Sequence, residues 1–480
     1  MAWQTHFILN NQKIITSESP GTLVLDYLRR RERLVGTKEG CKEGDCGACM
    51  VLVGELVDNQ IEYMPMTSCL MPVGELHGKH LVTVEGLNQE HLTPVQQAIV
   101  DEGGTQCGFC TPGIVVSMTA YLMKSGATVN DEGIKYALGG NLCRCTGYAS
   151  LIRAGKILVD TFGDGANAGQ KQEERLADLI SRKAIPEYFH SIPTRLKKIP
   201  KLDSVNSKKT PDYFIAGGTD IYVQKGELLP DSRVEVLNLH PEMKGITVKN
   251  GKVHLGALTT FEEFADHPEI LKFIPNMKAY MHLNASWQIR NRATLGGNIV
   301  NASPIGDMTI LLLALDSTLT LKEGRNRRTV PLKSFYKGYK VLDKTPKEIV
   351  TEITFPLPGP ETKIHFEKVS KRRTLDIASV NSAIKVQAED GLIKDVHLTM
   401  GGVAPVPLFL EQTSEYLQGN ILNKETIMGA LPIAMAEVSP ISDVRGSAEY
   451  KRLLVRQFMI GHVTKLFPEY LKVRDFYETH

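Results

Sequence analysis

All eight cysteines of this 480-residue chain fall between Cys41 and Cys145, and none lies elsewhere. They form two sets of four. The first reads Cys41-x4-Cys46-x2-Cys49, with Cys69 after nineteen intervening residues, the plant-type spacing for a 2Fe-2S cluster. Its neighbours Gly40, Gly44, Gly47 and Ala48 are small, as a backbone must be if its N–H groups are to close around cluster sulfides. The second set reads Cys107-x2-Cys110 and Cys143-x-Cys145, again four thiolates for one cluster. Disulfides are disfavoured because the N-terminus resembles no secretory signal. Zinc sites built from four cysteines usually repeat a Cys-x2-Cys pair, which the first set does not do.

Around these ligands stand the segments Gly40-Cys41-Lys42-Glu43-Gly44-Asp45-Cys46-Gly47-Ala48-Cys49, Gln106-Cys107-Gly108-Phe109-Cys110-Thr111-Pro112-Gly113 and Asn141-Leu142-Cys143-Arg144-Cys145-Thr146-Gly147-Tyr148. Together they resemble the iron-sulfur modules of the xanthine dehydrogenase family of molybdenum hydroxylases.

Length allows about three domains. With 56 basic and 54 acidic residues interspersed, the net charge is only +2, so the overall field implies neither nucleic acid nor a membrane surface. The longest obvious apolar run, Ile310 to Leu315, is six residues against the roughly 20 of a bilayer span. A cytoplasmic location is expected.

In chain order, Trp3 to Leu9, an Asn10-Asn11 turn and Lys13 to Thr16 read as a hairpin. Thr22 is placed to cap a helix carrying Val24, Leu25 and Leu28 inward. Strands around Met50–Val53, Ile61–Met64 and Leu81–Val84 complete a ferredoxin-like β-grasp over 1–90. A helical 2Fe-2S module follows over 91–165, with caps expected at Thr93, Thr111 and Asn130, stops at Gly126 and Gly139-Gly140, and a last helix from Tyr148 to Phe162. Residues 166–191 read as a linker. Within it and just before it, Gly163, Gly165 and Gly169 only imitate a dinucleotide motif, because no strand precedes them.

Over 192–360 a short apolar strand, Tyr213 to Ala216, runs into Gly217-Gly218-Thr219-Asp220. A second glycine-rich stretch, Thr294-Leu295-Gly296-Gly297-Asn298, precedes Ala302 to Asp307. Two such turns suit a pyrophosphate, and a buried carboxylate suits a ribose. Both segments resemble the same family's FAD-binding domain of the PCMH type, which is not a Rossmann fold. The resemblance implies FAD contacts at Phe214, Ile215, Ala216, Gly217, Gly218, Thr219, Asp220, Ile221, Thr294, Gly297, Asn298, Asp307, Val350 and Lys368. Where several family members carry an aromatic residue against the flavin, this chain has Asn284, with Trp287 nearby. Residues 361–480 resemble the family's flavoprotein C-terminal domain, with strands around Ile364–Val369, Ser382–Ala388 and Val396–Met400 and helices from about Lys424. Lys368, Lys371, Arg372 and Arg373 are either a charged edge strand or help for flavin or nicotinamide phosphates. The expected class is α+β multidomain.

The resemblance implies two 2Fe-2S clusters and FAD in an electron-transfer subunit, with no catalytic acid or base. A molybdopterin-binding large subunit would oxidise hypoxanthine and xanthine to urate, two copies of each chain forming a heterotetramer. Electrons would pass from the Cys107 set to the Cys41 set, then to FAD and to NAD, because clusters carry single electrons and nicotinamide takes a pair. Gln106 is placed to face the partner's pterin or to serve as a polar turn residue. An aldehyde, nicotinate or aromatic acyl-CoA enzyme, or a stand-alone NADH-oxidising carrier, fits the same chain.

Overall fold

In the computed structural model, residues 3–124, 128–163, 171–201 and 210–477 are described. They fall into two compact units: Met1–Leu239 with Ser286–Arg292, and His240–Ala285 with Ala293–His480.

The first unit opens with the expected hairpin, β1 (Thr5–Leu9) and β2 (Gln12–Thr16), followed by helix α1 (Val24–Arg30). Strands β3 (Met50–Val57), β4 (Gln60–Thr67) and β5 (His80–Val82) complete a five-stranded sheet in the order β2-β1-β5-β3-β4. Alternation splits the sheet's apolar residues between two cores. Phe7, Leu9, Val51 and Val53 pack on Val24, Tyr27 and Leu28 of α1. Ile8, Met50, Leu52 and Val82 pack on the helical module behind. Thr22 does not cap α1; the N-cap is Leu23, without a side-chain bond, and backbone bonds from the Val73 N–H to the Thr22 carbonyl and from the Val24 N–H to the Met71 carbonyl, both 2.8 Å, hold Thr22 to Val24 against 71–73 instead.

The helical module comprises α2 (Pro94–Asp101), α3 (Thr111–Met123), α4 (Asp131–Leu138) and α5 (Ala149–Phe162). Thr93 and Gln96 form a capping box, and Asn130 caps α4 through the Gly133 N–H. The N-cap of α3 is Cys110, not Thr111, whose hydroxyl is turned to Thr105 at 2.9 Å. Every residue of α3 from Gly113 to Met123 is buried, so this helix is the module's axis. The segment read as a linker is folded where it is described. Helix α6 (Gln172–Ser181) and the turn after it bury Leu176, Leu179, Ile185 and Phe189 in the same core. Arg175, 1% exposed, donates to the Leu122 carbonyl at 2.6 Å. An amphipathic helix with its own buried face packs rather than spans. Gly126, Gly165 and Gly169 lie outside the described residues. The unit also holds the parallel pair β6 (Tyr213–Ile215) and β7 (Val234–Val236) and the short helix Trp287–Arg290.

The second unit contains an antiparallel sheet of β8 (Ile246–Lys249), β9 (Lys252–Gly256), β10 (Thr318–Glu323), β11 (Asn326–Pro331) and, beyond the small ladder β12 (Tyr336–Gly338) and β13 (Val341–Leu342), β14 (Ile349–Pro356); its order is β11-β10-β14-β9-β8. A four-stranded antiparallel sheet comes next, its strands in sequence order: β15 (Thr362–Val369), β16 (Val380–Glu389), β17 (Leu392–Gly401) and β18 (Leu408–Phe409). Val380, Ile384, Leu398 and Met400 pack on helices Lys424–Glu437 and Ala448–Leu466 through Ile427, Ala430, Val455 and Phe458. A helix unmarked by any sequence cap, Glu411–Leu417, precedes them. The class is α+β multidomain, as expected.

Candidate functional site

The loop carrying the first cysteine set has almost no regular structure, and its path is made by residues in the left-handed region: Lys42 (φ 57°), Gly44 (φ 82°) and Gly47 (φ 67°). Gly40 is required for space, since a Cβ there would stand 2.7 Å from the Cys46 Sγ. The Glu43 N–H points at the Cys41 Sγ, 3.3 Å away. Buried Cys49 and Cys69 have their sulfurs 3.3 Å apart. Ser68 locks that pair by donating its N–H (3.2 Å) and its hydroxyl (2.7 Å) to the Cys49 carbonyl. Cys41 is hydrogen-bonded by the Cys46 thiol, which with nearby backbone N–H groups draws it down to about 5, while Cys46 is pushed up. The thiols therefore pair as Cys41/Cys46 and Cys49/Cys69.

The second set pairs in the same way. Cys107 and Cys145 sulfurs are 3.5 Å apart, and burial together with its Cys143 partner pushes Cys110 up to about 12. Cys143 Sγ lies 3.0 Å from the Thr146 hydroxyl, and its N–H donates to the Tyr148 hydroxyl at 3.0 Å. Lys38, from the first loop, donates to the carbonyls of Gly108 (2.9 Å) and Phe109 (3.2 Å). Cys107 and Cys145 are exposed, unlike Cys49 and Cys69, and Gln106 is exposed beside them.

Two thiolates on one tetrahedral ion with bonds near 2.3 Å sit about 3.8 Å apart, so the Cys49/Cys69 and Cys107/Cys145 sulfurs, at 3.3 and 3.5 Å, need to open by only a few tenths of an ångström. Among the described residues no group of three or more His, Cys, Asp or Glu side chains converges on one ion position. Four thiols arranged two by two fit a two-iron cluster, in which each iron takes two protein ligands.

The two sets meet through backbone. The Leu142 N–H donates to the Cys46 carbonyl at 2.9 Å, leaving one hydrogen bond and a few covalent bonds between ligand Cys46 and ligand Cys143. The approach demands glycine on both sides. A Cβ on Gly47 would be 2.3 Å from the Gly140 carbonyl, and one on Gly113 would be 2.1 Å from the Gly47 carbonyl.

The residues expected around FAD divide between the units. In the first, Phe214 and Ile215 lie on β6, followed by Ala216 and the turn Gly217 to Asp220, with Gly218 at φ 76°, and Ile221 begins a helix. Among the described residues, no carbonyl accepts from the N–H groups of Gly218, Thr219 or Asp220, a concave set of free donors that fits a phosphate. In the second unit, Thr294 to Asn298 is not a turn but the first turn of helix Leu295–Asn301, capped by Thr294. Its N–H groups are already used: Leu295 by the Thr259 carbonyl, Gly296 by Ala257, Gly297 by the Thr294 hydroxyl and Asn298 by the Thr294 carbonyl. The Asn298 side-chain oxygen accepts from Thr309 at 3.0 and 2.8 Å. Asp307 is held by Lys368 at 2.7 Å and by Asn381 at 2.5 Å, and Lys368 also donates to the Leu283 carbonyl at 2.9 Å. Lys368 is therefore no exposed edge charge, although Lys371, Arg372 and Arg373 are exposed. Val350 is buried on β14. Asn284 is buried in the second unit, whereas Trp287 packs in the first, tilted on Tyr136 at 5.6 Å.

Four family models match the chain along its length. Residues 7–74 match the 2Fe-2S iron-sulfur cluster binding domain and 83–156 the 2Fe-2S binding domain. Residues 193–358 match the FAD binding domain in molybdopterin dehydrogenase, and 365–465 the CO dehydrogenase flavoprotein C-terminal domain. In domain content the chain is similar to the iron-sulfur and FAD-binding region of molybdenum hydroxylases. Among curated relatives, aldehyde oxidase 1 of Bos taurus is 31% identical over 97% of this chain and 39% of its own. Xanthine dehydrogenase of Drosophila pseudoobscura pseudoobscura is 29% identical over the same shares, 97% and 39%. The chain thus spans about two fifths of these relatives' length. A solved structure of reconstituted CO dehydrogenase from Oligotropha carboxidovorans aligns with a TM-score of 0.50 and 26% identity, covering 55% of this chain and 92% of that one. No helix among the described residues is long and apolar enough to cross a membrane.

Sequence inspection missed three parts of this site. Leu142 stands inside a cluster segment but with no role read for it, and Asn381 carries no motif signal. Arg292 does carry one in retrospect: it ends the polar run Gln288 to Arg292 just before Thr294, and a run buried throughout except for Ile289 is rare for such residues.

Proposed function

We propose that this chain conducts electrons from a molybdopterin-binding partner subunit to NAD, in an enzyme that oxidises hypoxanthine and xanthine, two copies of each subunit forming the assembly. When bound, the clusters supply one-electron steps and FAD joins them to the two-electron nicotinamide. The observation that carries this is the hydrogen bond from the Leu142 N–H to the Cys46 carbonyl, which joins a set with two exposed cysteines, Cys107 and Cys145, to a set with two buried ones, Cys49 and Cys69. Cys107 and Cys145, at the surface, receive electrons from the partner. Cys49 and Cys69 share an apolar cluster with Ile215 and Tyr222, beside the turn whose free N–H groups are assigned to the FAD phosphates. In the second unit, Asp307, Lys368 and Val350 are proposed as FAD contacts on the family resemblance alone. Thr294, Gly297 and Asn298 serve by shaping the backbone, since their donors are spent.

Anaerobic stopped-flow absorbance on the holo chain tests this. NADH should bleach flavin and clusters in the chain alone, and xanthine should do so only after a molybdopterin-bearing partner is added. Bleaching of the isolated chain by xanthine, or none by NADH, overturns the proposal. Bleaching of the complex by an aldehyde and not by xanthine keeps the conduit and corrects the substrate.

A further inference from the structure

Arg292 is 2% exposed, and its guanidinium is spread over four residues in two distant stretches of chain, Met66 to Glu75 and Gly217. Nη2 donates to the Gly217 carbonyl at 2.7 Å, to the Leu70 carbonyl at 3.2 Å and to Glu75 Oε2 at 3.0 Å. Nη1 reaches Glu75 Oε1 at 3.3 Å and the Met66 sulfur at 3.7 Å. Leu70 comes directly after cluster ligand Cys69, and Gly217 opens the turn with free N–H groups. The same two places touch independently: a Cβ on Gly218 would lie 2.4 Å from the Leu70 carbonyl. The charge is balanced locally. Glu75 also faces Lys79 at 3.7 Å, and Lys79 pairs with Glu55 at 2.9 Å. Burial acts to raise the Glu75 carboxyl, but Arg292 and Lys79 outweigh it and hold the group below its ordinary value.

Salt bridging alone does not explain this geometry. A carboxylate is fully served by two guanidinium N–H bonds, yet Arg292 also spends donors on two carbonyls that no strand ladder pairs. One of these carbonyls adjoins a cluster ligand and the other lies at the root of an anion-binding turn, so fixing their orientation fixes the peptide planes of the ligand loop and of the turn. An arginine fork can hold both at once, which a lysine point charge cannot.

We infer that Arg292 is a positioning residue for cluster-to-flavin transfer, holding the Gly217-Gly218 turn against the Cys69 loop and placing a fixed positive charge beside the Cys41/Cys46/Cys49/Cys69 cluster. The inference rests on the proposed conduit. The charge should raise that cluster's reduction potential, which responds to nearby charge and hydrogen bonding. The other cluster, on the helical module, serves as an internal control.

The test uses the full holo chain with Arg292→Met and Arg292→Lys, FAD titration of the flavin-stripped protein, and potentiometric electron paramagnetic resonance. Arg292→Met should weaken FAD binding at least about tenfold and move one cluster to lower potential, with iron content and the second signal unchanged. Arg292→Lys should keep the potential near that of the unsubstituted chain while still losing FAD affinity, a split that a merely structural role does not produce. If Arg292→Met fails to accumulate with full iron, Arg292→Lys decides alone, and FAD affinity within threefold of the parent overturns the inference. Unchanged affinity and potential in a folded Arg292→Met overturn it equally. Failure of the conduit itself would be visible earlier, as a parent chain without flavin or without two signals.

Discussion

Replacing Lys368 with Met in the flavin-free protein should destabilise the second unit by about 3–5 kcal/mol, the usual cost of removing one partner from a buried ion pair. Lys368 and Asp307 side chains are 2% and 9% exposed and 2.7 Å apart. At an effective dielectric near 20, that separation corresponds to about 6 kcal/mol of attraction before desolvation. Without Lys368, the Asp307 carboxylate keeps only the Asn381 amide, and the Leu283 carbonyl loses its donor. Hydrogen exchange read by mass spectrometry on peptides from β15 to β17 should quicken by roughly a hundred- to several-thousand-fold, the exponential of that cost. Both tryptophans, Trp3 and Trp287, belong to the first unit, so the urea midpoint seen by fluorescence should hold still. Adding Asp307→Leu should recover at least half of the loss, because an apolar pair replaces an orphaned charge. Acceleration below about tenfold in Lys368→Met would refute the view that this pair is a buried, mutually dependent charge couple.

The same geometry leads to other expected outcomes. Cys110→Ser should remove one of two electron paramagnetic resonance signals and lower iron from about four to about two per chain; simultaneous loss of both signals would contradict the pairing of thiols described above. Gly113→Ala should cost about 1–3 kcal/mol through overpacking, since its Cβ meets the Gly47 carbonyl at 2.1 Å, and should weaken the magnetic coupling between the clusters; unaltered coupling would count against the glycine junction. Acid should loosen the second unit. Buried His365, its Nδ1 2.7 Å from that of His462, is lowered by burial to about 4, and His462 is lowered as well. Because the folded pKa lies below the unfolded one, stability is full above about pH 6.5 and falls as the unfolded chain takes up protons down to about pH 4, by about 3 kcal/mol for His365. Exchange rates corrected for intrinsic pH dependence that stay flat between pH 7 and 4.5 would rule this out.

Cysteine spacing alone determined that two iron-sulfur modules occupy the first part of the chain, because thiolate ligands must recur at distances set by a small inorganic core and tolerate little drift. Local signals placed most of the elements too: the Thr93 and Asn130 caps, the Asn10-Asn11 hairpin and the Gly139 stop all act within a few residues of themselves. Local patterning misled or stayed silent wherever a distant partner decides. Thr22 and Thr111 look like caps, yet the backbone at Thr22 pairs with Val73 and the Thr111 hydroxyl turns to Thr105. Residues 166–191 look like a linker, yet Leu179 and Phe189 join the core that holds α3. The two glycine-rich stretches look alike in sequence, but only tertiary pairing shows that one keeps free N–H groups at Gly218, Thr219 and Asp220 while Ala257 and Thr259 consume those of the other. The Leu142–Cys46 hydrogen bond, the Asp307–Lys368 pair and the Arg292 fork join residues separated by 96, 61 and up to 226 positions. A one-dimensional pattern reports periodicity and nearest neighbours, and the free energy of a buried polar group depends on who stands next to it in three dimensions.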